Sequence, residues 1–252
     1  MAKHSAEKRS EAQLVRLFGE KRGTRLSNQL REAGTLFGSE RYLDAQRLLA
    51  PITQQAPEVA EARELYGLVL YRLGKWHKAI RELEAFSSLA GGSTEQHPVI
   101  CDCYRALGLG EKVEETWEEF RVSAPTGDLA AEGRIVYSSA LADQGKFAEA
   151  IALLENDWLP IGKANAGTTV DTNVGKGTTA DSTGSDSSAK ADKGKHQKAQ
   201  CSPETSLRLV YMLGDLYDRS GEIPRATALF QWIADRDHDF ADVADRLHEL
   251  SG

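Results

Sequence analysis

The chain has 252 residues, 40% of them hydrophobic, with 22 Gly and 7 Pro, a composition that excludes collagen-like and wholly disordered chains and leaves room for one or two buried cores. Its formal net charge is −7, yet residues 1–31 hold eight Lys or Arg against three Glu, so the remainder is more acidic than the total indicates. No run of 18 apolar residues occurs and no apolar stretch of signal-peptide length opens the chain, so a cytoplasmic location is expected. Three cysteines, Cys101, Cys103 and Cys201, make an odd count that argues against a disulfide framework and for reduced thiols.

Residues 1–26 read as a basic helix or arm, in which Leu14, Val15, Leu17 and Phe18 form a short apolar stripe able to cap the first repeat. A basic head on an acidic body can contact nucleic acid or an anionic surface through counterion release. The competing reading is a solvated helix.

From residue 27 to 161 the sequence repeats itself. The segments "LFGSERYLDAQRLL", "LYRLGKWHKAIREL", "CYRALGLGEKVEETW" and "ALADQGKFAEAIALL" align with "LYDRSGEIPRATALF" near the C-terminus. Four carry a Gly (Gly74, Gly108, Gly145, Gly221) five residues before a small residue, and the first has Glu40 in the glycine's place. The small residues Ala45, Ala79, Val113, Ala150 and Ala226 are separated by 34, 34, 37 and 76 positions, so only the last interval breaks the period.

Each unit predicts two antiparallel helices, with apolar residues at helical spacing on both sides of a C-capping glycine. Small residues, Ala33 or Gly34, Gly67, Cys101, Ser138 and Gly214, fall where the helices would cross, since a bulky side chain there would push the axes beyond 8–10 Å. Leu49, Leu83, Trp117, Leu154 and Phe230 on the second helices, and Leu36, Leu70, Tyr104, Leu141 and Tyr217 on the first, are expected to fill the core.

Residues 162–201 contain no Leu, Ile, Met or aromatic residue beyond Ile161, and such a stretch cannot offset its ordering entropy. A disordered low-complexity insertion is expected, and removing its roughly 40 residues restores the 34-residue period. Its "NVGKGTT" imitates a phosphate loop but has Val170 where the first Gly belongs and Gly177 where Ser or Thr should follow Lys176. In residues 202–252, Ser202 is the expected N-cap and Pro203 the first residue of the last repeat. "DFADVADRLHEL" then supplies a capping helix with Phe240, Val243, Ala244, Leu247 and Leu250 on one stripe and Asp239 as N-cap.

Other candidate chemistry fails on spacing. Cys101 and Cys103 point about 200° apart on a helix, so they and His97 cannot share a tetrahedral ion. Asp235, Asp237 and Asp239 alternate like a calcium loop, but Phe240 stands at the required Gly and Arg246 at the closing Glu. No catalytic motif, metal site or cofactor site is expected.

The 34-residue period, together with Leu213, Gly214, Tyr217, Ala226 and Phe230 of the last unit, resembles the tetratricopeptide repeat family over residues 27–161 and 202–250. The family's early Trp is absent throughout, and Val113 and Glu40 depart from its pattern. The resemblance implies an all-α, right-handed α-α superhelix of about five helical hairpins plus a C-terminal capping helix. It also implies a non-enzymatic scaffold that binds a protein or peptide partner in a concave groove lined by the first helices. Helical spacing puts Glu64, Tyr71, Arg72, Asp102, Arg105, Tyr211, Asp215, Asp218 and Arg219 into that groove. Some members hold a chaperone's terminal carboxylate in a basic clamp. Here the matching positions are Glu64, Leu68 and Arg72, then Pro98, Asp102 and Ala106, so no clamp is implied. The alternative function is a nucleic-acid-associated factor that uses the basic N-terminal segment.

Overall fold

A computed structural model describes residues 2–155 and 201–251, with side chains from Glu7 onward. Among them the chain forms twelve helices and no strand. An N-terminal helix α1 (Ala2–Phe18) precedes five hairpins: α2 (Glu20–Gly38) with α3 (Tyr42–Gln55), α4 (Ala60–Arg72) with α5 (Trp76–Leu89), α6 (His97–Ala106) with α7 (Gly110–Val122), α8 (Gly127–Asp143) with α9 (Phe147–Glu155), and α10 (Pro203–Arg219) with α11 (Ile223–Ala234). A last helix, α12 (Val243–Leu250), closes the stack. No described helix is long and apolar enough to cross a membrane.

One turn recurs in every hairpin. Backbone N–H groups of Arg41, Lys75, Leu109, Lys146 and Glu222 donate to the carbonyls of Leu36, Leu70, Tyr104, Leu141 and Tyr217 at 2.8–3.0 Å. The residue before each donor bonds the carbonyl one position further on, as in Gly74 to Tyr71 at 2.9 Å. This pair of bonds satisfies the orphan carbonyls of a helix end and requires a left-handed residue between the helices. Gly74, Gly108, Gly145 and Gly221 adopt φ of 67°, 70°, 76° and 86°. Glu40 is forced to φ 59° in the first hairpin, so the turn forms there despite the missing glycine.

The five small residues after the turns are buried, none above 1% exposed. At the crossings a Cβ on Gly67 would lie 2.5 Å from Leu83 Cδ2, and one on Gly214 would lie 2.9 Å from Phe230 Cε1. Ala33, not Gly34, is the buried crossing residue of α2. Packing departs from expectation in the third hairpin. Phe120, not Trp117, is the fully buried large residue of α7, seated where Gly133 of α8 leaves no Cβ. Trp117 lies half-buried instead, stacked on Tyr137 at 4.6 Å with the rings 8° from parallel.

First helices touch one another in succession, α2 with α4, α4 with α6, α6 with α8 and α8 with α10, whereas no second helix touches another second helix among the described residues. Closer spacing on the first-helix side curves the stack, so those helices line the inner face of a right-handed α-α superhelix. The stack continues across the interruption: α10 packs on both α8 and α9, and the Ser202 N–H donates to Asp128 at 2.6 Å. Ser202 caps α10 by accepting from the Thr205 N–H at 3.2 Å. The expected disordered insertion at 162–201 lies outside the described residues except for Cys201, whose thiol is 3.7 Å from the Gly127 carbonyl.

The last helix starts later than expected. Ala241 has φ 49°, which no α-helix tolerates, so α12 begins at Val243 behind Asp242 instead of behind Asp239. Val243 is its fully buried anchor, packed with Phe230 and Ile233 of α11.

A left-handed Glu costs about 1–2 kcal/mol relative to Gly, part of it returned by glycine's freer unfolded chain. The nearby Arg72 contact at 3.8 Å, to a Glu40 side chain 77% exposed, contributes little. Glu40→Gly is therefore expected to raise the midpoint of thermal unfolding by about 2–4 °C. An unchanged or lowered midpoint in calorimetry would show that Glu40 is not strained.

Candidate functional site

The N-terminal segment is a packed helix, not a free arm. Gly19, with φ 77°, turns the chain between α1 and α2. A Cβ on Gly23 would sit 2.4 Å from Val15 Cα, so only Gly permits this approach of the two backbones. Leu14 is fully buried against the first hairpin. Beyond α2, α1 touches only α4, which places it on the inner face. There Gln13 Nε2 donates to the Glu58 carbonyl at 3.0 Å, and Arg9 Nε comes within 3.8 Å of the Glu61 carboxylate.

Between the N-terminal half of α1 and the inner sides of α2 and α4 lies a cleft of about 730 Å³. Leu30, Phe37, Leu65 and Leu68 give it an apolar lining, and Gly34 adds no side chain to fill it. Its charged groups are Glu7, Glu11, Glu61 and Glu64 against Lys8 and Arg31. Arg31 is turned to the Asn28 side chain at 2.9 Å. Burial pushes the Glu64 carboxyl above the usual carboxylate range; the Gln96 amide, donating at 2.8 Å, pulls it back, and Glu95 and Glu61 push it up further.

Apart from Arg72, the other expected groove residues form two networks further along. Tyr71 donates to Asp102 at 2.6 Å, Arg105 donates to Asp102 at 2.8 Å, and the same guanidinium reaches Asp143 at 2.8 Å. This chain of bonds ties α4, α6 and α8 together. At the C-terminal end Tyr211 donates to Asp242 at 2.5 Å, and Arg246 of α12 bridges Asp215 and Asp218, each at 2.9 Å. Arg219 lies 3.4 Å from Asp215 and over the Phe147 ring. Arg72 lies over the Tyr42 ring at 5.0 Å. Burial, with the Asp242 hydrogen bond second, pushes the Tyr211 hydroxyl up to about 12; the same two causes, with Asp102 as acceptor, raise Tyr71.

The nine residues therefore do not gather at one point. Glu64 lines the cleft; Arg72 lies over Tyr42 of α3; Tyr71, Asp102 and Arg105 stitch the middle repeats; Tyr211, Asp215 and Asp218 fasten the capping helix; and Arg219 lies over Phe147 of α9. Sequence reasoning missed α1 as a wall of the inner face and, with it, Leu30, Gly34, Phe37 and Leu65. The available signal was Gly23, a helix-interior Gly four residues after Gly19, which marks a close backbone approach.

Cys101 and Cys103 occupy separate core clusters. Burial pushes both thiols up to about 12, with Asp102 adding to the shift, so they are packing residues and not thiolates. Among the described residues no group of three His, Cys, Asp or Glu side chains is placed to hold a metal ion.

Because burial raises the Glu64 carboxyl, the folded chain keeps that proton to higher pH than the unfolded chain does. The group's contribution is most favourable below the unfolded value, about pH 4.3, and declines as pH rises through the folded value. Glu64→Gln is thus expected to be more stable than the parent at pH 7.5 and equal to it near pH 4, by urea denaturation. Equal stability at both pH values would contradict this burial.

Residues 30–86 match the family model described as tetratricopeptide repeat. The crystal structure of a thermophilic TPR protein in Thermus thermophilus superposes with a TM-score of 0.60 at 15% identity, covering 90% of this chain and 98% of that one, a likeness of fold. No curated protein matches the sequence. The matched segment spans the first two hairpins, and the same left-handed turn and buried small residue recur in the other three. Residues 30–86 thus carry a tetratricopeptide repeat match, and the described residues share the fold of a tetratricopeptide repeat protein.

Proposed function

We propose that the protein is a non-catalytic interaction scaffold that holds a peptide or helix of a partner protein against the inner face of its solenoid. The tetratricopeptide fold is in general one of protein-interaction scaffolds, which supports protein partners as a class. The observation that carries the narrower reading is the cleft: an apolar surface with a charged rim, on the face where the first helices converge. Tyr71, Arg72, Asp102, Arg105, Tyr211, Asp215, Asp218 and Arg219 are proposed to border the same face, where Tyr and Arg side chains are favoured interface anchors.

A second reading, contact with nucleic acid, draws on the exposure of Arg16, Lys21, Arg22 and Arg25 around the turn between α1 and α2. One experiment separates the two. A photo-crosslinking amino acid is placed singly at Leu68 on the inner face, at Val122 on the outer face (71% exposed), or at Arg16. The scaffold reading expects discrete protein adducts from Leu68 and none from Val122. Protein adducts from Val122 alone would overturn it, and nuclease-sensitive adducts from Arg16 would favour the second reading.

A further inference from the structure

The cleft combines three properties that together select an occupant. Its volume, about 730 Å³, lies in the range of sites that bury a ligand rather than graze it. The surface from Leu30, Phe37, Leu65 and Leu68 is apolar, and a Cβ built on Gly34 would meet its nearest neighbour, Leu65 Cδ2, only at 4.0 Å. That space is therefore open to a side chain from elsewhere. Its nearby guanidiniums are engaged elsewhere, Arg31 with Asn28 at 2.9 Å and Arg9 with Glu61 at 3.8 Å, while the Glu64 carboxylate is bonded by the neutral Gln96 amide at 2.8 Å.

Glu64 is the most selective of these groups. Its carboxylate is partly desolvated and repelled by Glu61 and Glu95, and its hydrogen-bond donor is a neutral amide. A carboxylate in that setting gains most from an incoming cation, because a charge-assisted hydrogen bond in a partly dry site is about twice as strong as a neutral one. The one guanidinium that reaches in from α1, Arg9, approaches Glu61 only to 3.8 Å and is 73% exposed, so it leaves Glu64 to others.

We infer that the cleft between α1, α2 and α4 seats one cationic, amphipathic segment of a partner protein, with a Leu- or Met-sized side chain against Leu65 and Leu68 and a Lys or Arg on Glu64. This rests on the scaffold reading and adds to it the place, the charge sign and the role of α1 as one wall. Glu11 of α1 extends the acidic rim over the bound segment, so α1 contributes to selection as well as to capping.

The test uses the full chain and three synthetic 15-residue peptides: one alternating Leu and Lys with helical periodicity, one with Glu in place of Lys, and one with Ser in place of Leu. Spermidine serves as a small cation. By titration calorimetry the Leu/Lys peptide is expected to bind at least tenfold more tightly than the other two peptides and than spermidine, with backbone NMR shifts concentrated at Gly34, Leu65 and Leu68. Glu64→Gln is expected to weaken it about tenfold. Gly34→Leu, which fills the cleft while improving helix propensity, is expected to weaken it at least tenfold without lowering the unfolding midpoint. Glu118→Gln, an exposed acid of α7, should leave affinity unchanged.

Equal binding of the Leu/Glu peptide or of spermidine would overturn the inference, as would undiminished binding by Gly34→Leu or no binding of the Leu/Lys peptide. Shifts confined to Tyr71, Asp102 or Tyr211 would also overturn it while leaving an inner-face scaffold intact. Failure of the scaffold reading itself shows differently, as partner crosslinks from the outer face alone.

Discussion

Each hairpin is closed by the same pair of backbone hydrogen bonds around a single left-handed residue, and the rest of the molecule depends on that turn. It ends the first helix two residues past a large side chain, Leu36, Leu70, Tyr104, Leu141 or Tyr217, and starts the second so that a small residue, Ala45, Ala79, Val113, Ala150 or Ala226, faces back into the hairpin. With no bulk at that contact, Leu49, Leu83, Leu154 and Phe230 can be buried one turn later, each worth about 1.5–3 kcal/mol in area removed from water. The turn is strong enough to impose its geometry on Glu40, at a conformational cost, because the packing it sets up outweighs that cost.

Curvature arises from the same contacts. First helices approach each other and second helices do not, so one face of the stack is concave, and side chains on it meet across repeats. The networks Tyr71, Asp102, Arg105, Asp143 and Asp215, Asp218, Arg246 are consequences of that convergence. Polar groups half-removed from water need partners, and on this face the neighbouring repeat supplies them. At the N-terminal end α1 stands against α2 and α4 in the place that a neighbouring hairpin takes elsewhere in the stack. Because α1 crosses closest at Gly23 and Val15, it leaves open the space further along that becomes the cleft.

The repeat architecture was legible because its determinants are local. The glycine-to-small-residue spacing and the Ser202-Pro203 start signal act within a few residues, and each is found where the sequence places it. Crossings were legible where a Gly faces a large residue at matched positions, as Gly67 with Leu83 or Gly214 with Phe230. They were not legible in the third hairpin, where Gly133 belongs to the next hairpin and its pairing with Phe120 is set by stacking between repeats. The places of Glu64 and Tyr71 on the first helix of the second hairpin, α4, followed from helical spacing. Their surroundings did not, because Gln96, Asp102 and α1 are distant in sequence, 32 positions for Glu64 with Gln96 and 31 for Tyr71 with Asp102, and nothing local announces such pairings. The late start of α12 was hidden for a related reason: left-handed Ala241 is a tertiary compromise that no propensity favours.

The inner face depends on α1 being part of it, since without that helix there is neither a closed N-terminal end nor a cleft. Native-state hydrogen exchange on the full chain measures this directly. The backbone amides of residues 14–18, which bond within α1 while Leu14 packs on α2, should exchange orders of magnitude more slowly than an unstructured chain and lose protection together with those of α2. Exchange at the rate of an unfolded peptide across α1, with α2 to α5 still protected, would contradict that placement of α1 and the cleft it forms.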